Sequence, residues 1–245
     1  MYVDVHCHLD DERFDDTDEV IKRAEKAKVV AIINNGASPE RNRKTLDLVK
    51  KYKIVKKALG FYPGHVHEFD DKEIEKELKW IEKQKPIALG EIGLDFTYSD
   101  KERQEELFKK FILLGKKLDI PLIVHTRKAE KRIVEIIEEE KPKKVVLHCF
   151  SGKLKLLKRL EGYDVYFSIP PIIVHSVHFQ ELVKKVPLTR ILTETDSPWM
   201  APVKGERNEP SNVTVTVKEI AKIKKVEEDE VMKAIYSNYQ KLFTN

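Results

Sequence analysis

Eight short β-rich segments, spread at regular intervals over 245 residues, constrain this chain more than any other feature. They are "YVDVHCH" (2–8), "VVAIINN" (29–35), "IVKKALG" (54–60), "IALGEIG" (87–93), "IPLIVHT" (120–126), "KVVLHCF" (144–150), "YDVYFSI" (163–169) and "RILTETD" (190–196). Charged stretches of helical period lie between them, such as "DTDEVIKRAEKAK", "PERNRKTLDLVKKYK" and "KERQEELFKKFILLGKKL". In the last, Leu107, Phe111, Leu114 and Leu118 recur at three- to four-residue steps and mark one apolar face. The strands are nearly continuous in hydrophobicity, as strands covered on both faces must be. Strand–helix alternation repeated eight times predicts an α/β fold of the closed (β/α)8 barrel type. An open doubly wound sheet would need a glycine-rich phosphate loop after the first strand, and "HCHLDD" is not one. Such barrels typically take about 250 residues, so residues 1–245 are expected to form a single domain. "APVKGERNEPSN" (201–212) reads as a loop, followed by a helix capped by Ser211 and another from about residue 228.

Charged residues make up 36% of the chain, which suits a surface laced with ion pairs. A net charge of +4 permits a nucleic-acid partner without demanding one. The cysteines, Cys7 and Cys149, are too few for a disulfide framework, and each stands beside a histidine. Reduced thiols, no apolar run near the roughly 18 residues of a membrane span and no signal-peptide pattern lead to the expectation of a cytoplasmic protein. No obligate protein partner is evident.

Within this framework the placement of the histidines is telling. His6 and His8 alternate with Cys7 on the first strand, so the two imidazoles converge on one side and the thiol faces the other. His6 and His8 end strand 1, Glu91 strand 4, His125 strand 5, His148 strand 6 and Asp196 strand 8. The carboxyl ends of the strands are where barrels of this type carry chemistry. Six ligands exceed the three protein groups that a catalytic zinc usually takes, so they divide between two ions. His6 and His8 share a strand and must serve one ion, joined by Asp196. His125 and His148, on neighbouring strands, can serve the other, and Glu91 is the candidate bridge. Two divalent cations about 3.5–4 Å apart can clamp the oxygens of a phosphate or carbonyl under attack. Asp196 can also take a proton from the attacking water; the competing reading of "TETDSP" is a helix cap.

Taken together, "DVHCHLD" (4–10), "ALGEIGLDF" (88–96), "PLIVHTRKA" (121–129), "LHCFSG" (147–152), "ILTETDSPWMAP" (191–202), "RNEPSNV" (207–213) and "SNYQKLF" (237–243) resemble the TatD family of metal-dependent DNases over the whole chain. The resemblance implies a distorted TIM barrel that hydrolyses phosphodiester bonds of DNA, often as a 3′-to-5′ exonuclease preferring single strands. It implies one metal site at His6, His8, Glu91 and Asp196 and another at Glu91, His125 and His148. Two departures stand out. The family's usual G-x-H-P-H after strand 3 is "GFYPGH" (60–65), with Tyr62 and Gly64 at the histidine places and His65 one step on. After strand 7, Pro170 and Pro171 replace a common glycine.

Arg127, two residues after His125, is a candidate for holding a substrate phosphate bidentately, and His65 is a second candidate contact. Asp95 is read either as an acceptor orienting a metal-bound histidine or as the cap of a turn. His175 and His178 are expected at the surface, Trp199 and Phe150 under loops, and Cys7 and Cys149 buried and away from the metals. The histidine–carboxylate set suits zinc, manganese or cobalt, and magnesium less well. The alternative activity is hydrolysis of an amide, ester or aminoacyl link on the same barrel, for which a carboxylated lysine bridge would be the mark. A non-enzymatic binding protein would be expected to have lost ligands.

Overall fold

The computed structural model describes residues 1–244. Eight parallel strands follow one another around a single sheet in chain order: β1 Tyr2–Cys7, β2 Val29–Asn35, β3 Val55–Leu59, β4 Ala88–Gly93, β5 Leu122–His125, β6 Val145–His148, β7 Val165–Ile169 and β8 Ile191–Thr193. Helices α1 Thr17–Lys26, α2 Pro39–Lys51, α3 Asp71–Gln84, α4 Lys101–Leu118, α5 Glu130–Glu140, α6 Leu157–Leu160 and α7 Val177–Lys185 connect them, and α8 Val213–Lys224 and α9 Glu228–Phe243 close the chain. This is the expected TIM barrel.

The sequence accounts for these elements locally. α4 buries Leu107, Phe111 and Leu114 on the face its period marks, each worth about 1.5–3 kcal/mol of burial. α2 starts where the Ser38 hydroxyl accepts the Arg41 N–H and Pro39 takes the first turn, where no donor is missed. α3 starts in a reciprocal capping box between Asp70 and Glu73. From Val3 to His8, which lies one residue past the end of β1 rather than in it, the apolar Val3, Val5 and Cys7 alternate with the polar Asp4, His6 and His8, and all six are buried. The odd set packs outwards; the even set lines the barrel.

The seam between β8 and β1 is where the barrel departs from regularity, because no continuous strand ladder runs across it. Side chains and isolated backbone bonds close it instead. Thr193 Oγ1 donates to the Val3 carbonyl (2.6 Å), the buried Asp4 carboxylate accepts from Thr195 N (2.9 Å) and Thr195 Oγ1, and Asp196 N donates to the His6 carbonyl (2.8 Å). Two expectations are corrected here. β8 ends at Thr193, so Asp196 lies three residues beyond the strand rather than at its end. Ser211 does not cap α8. It sits inside a 3-10 turn, Pro210–Asn212, that runs directly into α8, so Asn212 and not Ser211 precedes the helix, and the Ser211 hydroxyl donates to Glu209 Oε1 (2.6 Å).

Candidate active site

The end of β1 with His8 just after it, the last residues of β5 and β6, Glu91 within β4 and the turn after β8 meet at the carboxyl mouth of the barrel. His6 Nε2 and His8 Nε2 stand 3.1 Å apart. Asp196 Oδ1 lies 3.5 Å from His6 Nε2 and 3.7 Å from His8 Nε2. Glu91 Oε2 lies 3.3 Å from His8 Nε2 and 3.8 Å from His6 Nε2. The other oxygen of the same carboxylate faces a second set: Glu91 Oε1 is 2.7 Å from His125 Nδ1 and 3.2 Å from His148 Nε2, and these nitrogens are 3.0 Å apart. Donors about 2.0–2.1 Å from one tetrahedral ion sit on the order of 3.3 Å from each other. Both sets have that spacing, so the cluster could hold metal.

Groups behind the site orient the rings. His8 Nδ1–H donates to the Asn35 carbonyl (3.0 Å), which leaves the Nε2 lone pair facing the cluster. His125 is turned the other way: Nε2 faces Asp95 Oδ2 at 3.1 Å, so Nδ1 faces Glu91. His148 Nδ1 points towards Glu194 Oε2 at 3.7 Å, and Glu194 is itself anchored by Cys149 N (2.8 Å) and Ser168 Oγ (2.5 Å). His6 Nδ1 is buried with no partner, and its ring stacks on His148 at 4.0 Å. Glu194 was not among the residues singled out by sequence, and Tyr62 was noted there without a role. For Glu194 the only signal is its place two residues before Asp196. For Tyr62 it is the departure from the family pattern.

The electrostatics follow from burial opposed by opposite charge. Burial pushes the Glu91 carboxyl up, but three imidazole partners, His125, His148 and His8, draw it well below the usual range. Burial lowers His8, His125 and His148, yet their carboxylate neighbours win and all three end above an ordinary histidine. His6 ends well below, through burial and then the charge of His148. Burial pushes Asp196 up to about 6, against the pull of His148 and His8.

A cavity of about 750 Å³ opens over the cluster, lined by His8, Glu91, His125, His148 and Asp196 together with Arg41, Tyr62, His65, Tyr98, Arg127, Trp199 and Met200 among others; no lysine lines it. Arg127 is exposed at its wall, and among the described residues no acid pairs with it. His65 is half-buried in the 3-10 turn Pro63–Glu68, its ring edge-on to Tyr62. Asp95 makes both contacts set out for it: Oδ2 faces His125 at 3.1 Å and Oδ1 accepts Thr97 N (2.9 Å). Asp196 is no helix cap, because no helix begins after it; a turn closes there instead, with Trp199 N donating to its carbonyl (2.9 Å).

Phe150 is core and Cys7 is buried with Sγ against the Ile33 carbonyl, whereas Trp199 is 41% exposed at the cavity under Arg13. Cys149 is also corrected. It lines the cavity half-buried, because a left-handed backbone (φ 43°) after β6 turns it out of the strand's alternation. His178 is tied to the Phe150 carbonyl (3.0 Å), while His175 is exposed.

The sequence profile of the TatD related DNase family matches residues 3–244. The chain belongs to that family. Its relatives are named metal-dependent hydrolases or deoxyribonucleases. One, an uncharacterized metal-dependent hydrolase of Methanocaldococcus jannaschii, is 41% identical over 99% of this chain and 96% of its own length. Another is the human deoxyribonuclease TATDN3, 36% identical over 98% of this chain and 94% of its own. Among solved structures, the TatD homologue YJJV of Escherichia coli K12 superposes on this TatD-family barrel with a TM-score of 0.93 at 28% identity, covering 100% of this chain and 98% of that one. No helix among the described residues is long and apolar enough to cross a membrane.

Proposed function

We propose that this hydrolase, working as one unit over residues 1–245, is a two-metal deoxyribonuclease that removes nucleotides from single strands in the 3′-to-5′ direction. The observation that carries the two-ion reading is the split of Glu91, whose two oxygens face two separate histidine pairs at 2.7–3.8 Å. His6, His8 and Asp196 would hold one ion, His125 and His148 the other, with Glu91 between them. The imidazole-rich set favours zinc, manganese or cobalt over magnesium. Once bound, the ions would polarise the phosphoryl oxygen and lower the pKa of the attacking water. The Asp196 carboxylate would accept that water's proton as the new P–O bond forms, then return it to the leaving oxygen as the old bond breaks. Arg127, free of an acid partner at the cavity wall, would hold non-bridging oxygens, with His65 beside it. The human relative's name supports DNA as the substrate. A glutamate at the bridge, with no lysine in the cavity, favours phosphodiester over amide chemistry. We place the enzyme in the cytoplasm, where both thiols stay reduced.

The test is metal-stripped protein reconstituted ion by ion and assayed on end-labelled single- and double-stranded DNA, on RNA and on an aminoacyl ester. Stepwise shortening of 3′ ends of single-stranded DNA, saturating at two ions per chain, is the expected result. Turnover of the ester with intact DNA would overturn the reading.

A further inference from the structure

The Tyr62 hydroxyl lies 2.6 Å from Asp95 Oδ2, the same oxygen that faces His125 Nε2 at 3.1 Å. A tyrosine hydroxyl beside a carboxylate donates, so Oδ2 accepts from the phenol and from the imidazole together. The other oxygen, Oδ1, is held by Thr97 N at 2.9 Å and by the Thr97 hydroxyl. The backbone of Asp95 is pinned as well: its N–H donates to Gln104 Oε1 (2.8 Å), and Gln104 Nε2 donates back to its carbonyl (3.0 Å). Every acceptor direction of a fully buried carboxylate is therefore assigned, and the last is set by Tyr62.

The ring does a second job. It stands edge-on to His125 with centroids 5.1 Å apart, and it meets Tyr98 and His65 at 6.1 and 5.3 Å. This close cluster requires glycine at position 64. A Cβ there would lie 2.6 Å from Tyr62 Cε1 and 2.8 Å from Tyr98 Cδ2, inside contact distance with two rings.

We infer that Tyr62 is a positioning residue for the second half of the site: through Asp95 Oδ2 and through its own ring, it fixes the His125 imidazole with Nδ1 towards Glu91. The inference rests on the metal-binding reading above, and it concerns a residue that touches none of the ligand atoms. Groups that orient a metal ligand typically contribute about 10–100-fold in affinity.

The experiment compares wild-type and Tyr62→Phe protein loaded with Zn²⁺, which keeps the ring and removes only the hydroxyl. Competition with a chromophoric chelator reads each ion's affinity, and ¹⁵N NMR reads the His125 Nε2–H signal. One ion is expected to be held about tenfold more weakly with the other unchanged, and the His125 Nε2–H proton is expected to exchange with water faster. Circular dichroism and melting temperature check that the variant folds. The number of ions in the wild type tests the two-ion reading separately; if it is one, the His125 signal decides alone. Unchanged His125 exchange, or equal weakening of two ions, overturns the inference.

Discussion

Asp196 brings its carboxylate to 3.5 Å from His6 Nε2 on a left-handed backbone (φ 52°), outside any strand or helix. Burial pushes it up to about 6 in the metal-free cluster, against the pull of His148 and His8. Asparagine keeps a carbonyl oxygen for an ion and loses the proton-accepting role at every working pH. Asp196→Asn is therefore expected to lower single-turnover hydrolysis by about 10²–10⁴-fold while metal content stays near wild type. Rapid-quench rates and metal analysis of the same sample check this; wild-type rates with full metal would remove Asp196 from the proton path. At this scale the residue types of the cluster were legible in sequence, because His, Glu and Asp near the ends of barrel strands have few structural reasons to gather on one rim. Cys149 was not, since its orientation depends on a local φ that no strand period encodes.

β4 carries Glu91, the proposed bridge, and does so at close quarters. A Cβ on Gly90 would lie 2.6 Å from Asn35 Oδ1 and 2.8 Å from Ile123 Cβ, so the strand runs hard against β5 and against the Asn35 side chain reaching in from β2. Asn35 is also the residue whose carbonyl orients His8. Gly90→Ala is expected to cost about 1–3 kcal/mol by overpacking and to push Glu91 off the midpoint between the two histidine pairs. A lower melting temperature combined with less than full metal occupancy is the expected outcome. A variant that melts and binds metal like the wild type would show that β4 has room the contacts deny it. The helices around this strand were legible from period and capping residues. The seam between β8 and β1 was not, because it is held by Thr193, Thr195 and Asp4 side chains rather than by a strand pattern.

For the whole molecule, the cluster links stability to pH and to metal. His8, His125 and His148 have folded-state pKa values raised above the ordinary value near 6.5, so their contribution is complete below that value and is lost as pH rises through the folded pKa. Asp196, raised to about 6, adds in the same direction, since its ionised form is disfavoured in the fold. Glu91 is lowered, so its contribution exists above its ordinary value and is lost only as pH falls through its folded pKa; His6, held neutral, opposes protonation below about 6.5. Chelated protein is thus expected to melt higher at pH 6 than at pH 8, on the order of 5 °C. Added Zn²⁺ should raise the melting point more at pH 8 than at pH 6, because binding it releases the protons. A calorimetric series across that range, with and without chelator, checks both signs; a metal gain that grows as pH falls would contradict the linkage.

What the sequence determined alone is what period and spacing can carry: the eightfold strand–helix alternation, the apolar faces, the rim on which ionisable residues gather, and the division of four histidines into two pairs. These are one-dimensional properties of a chain whose side chains alternate by two and by 3.6. Tertiary structure alone decided which nitrogen of each ring faces inwards, since that choice belongs to a distant partner: the Asn35 carbonyl for His8, Asp95 for His125, Glu194 for His148. It also decided that Tyr62 reaches Asp95 across 33 residues, and that Asp196 is brought to His6 by a turn beyond its strand. Spacing along a chain says which residues arrive at the same rim; the direction of a lone pair is set only by the atom on its far side.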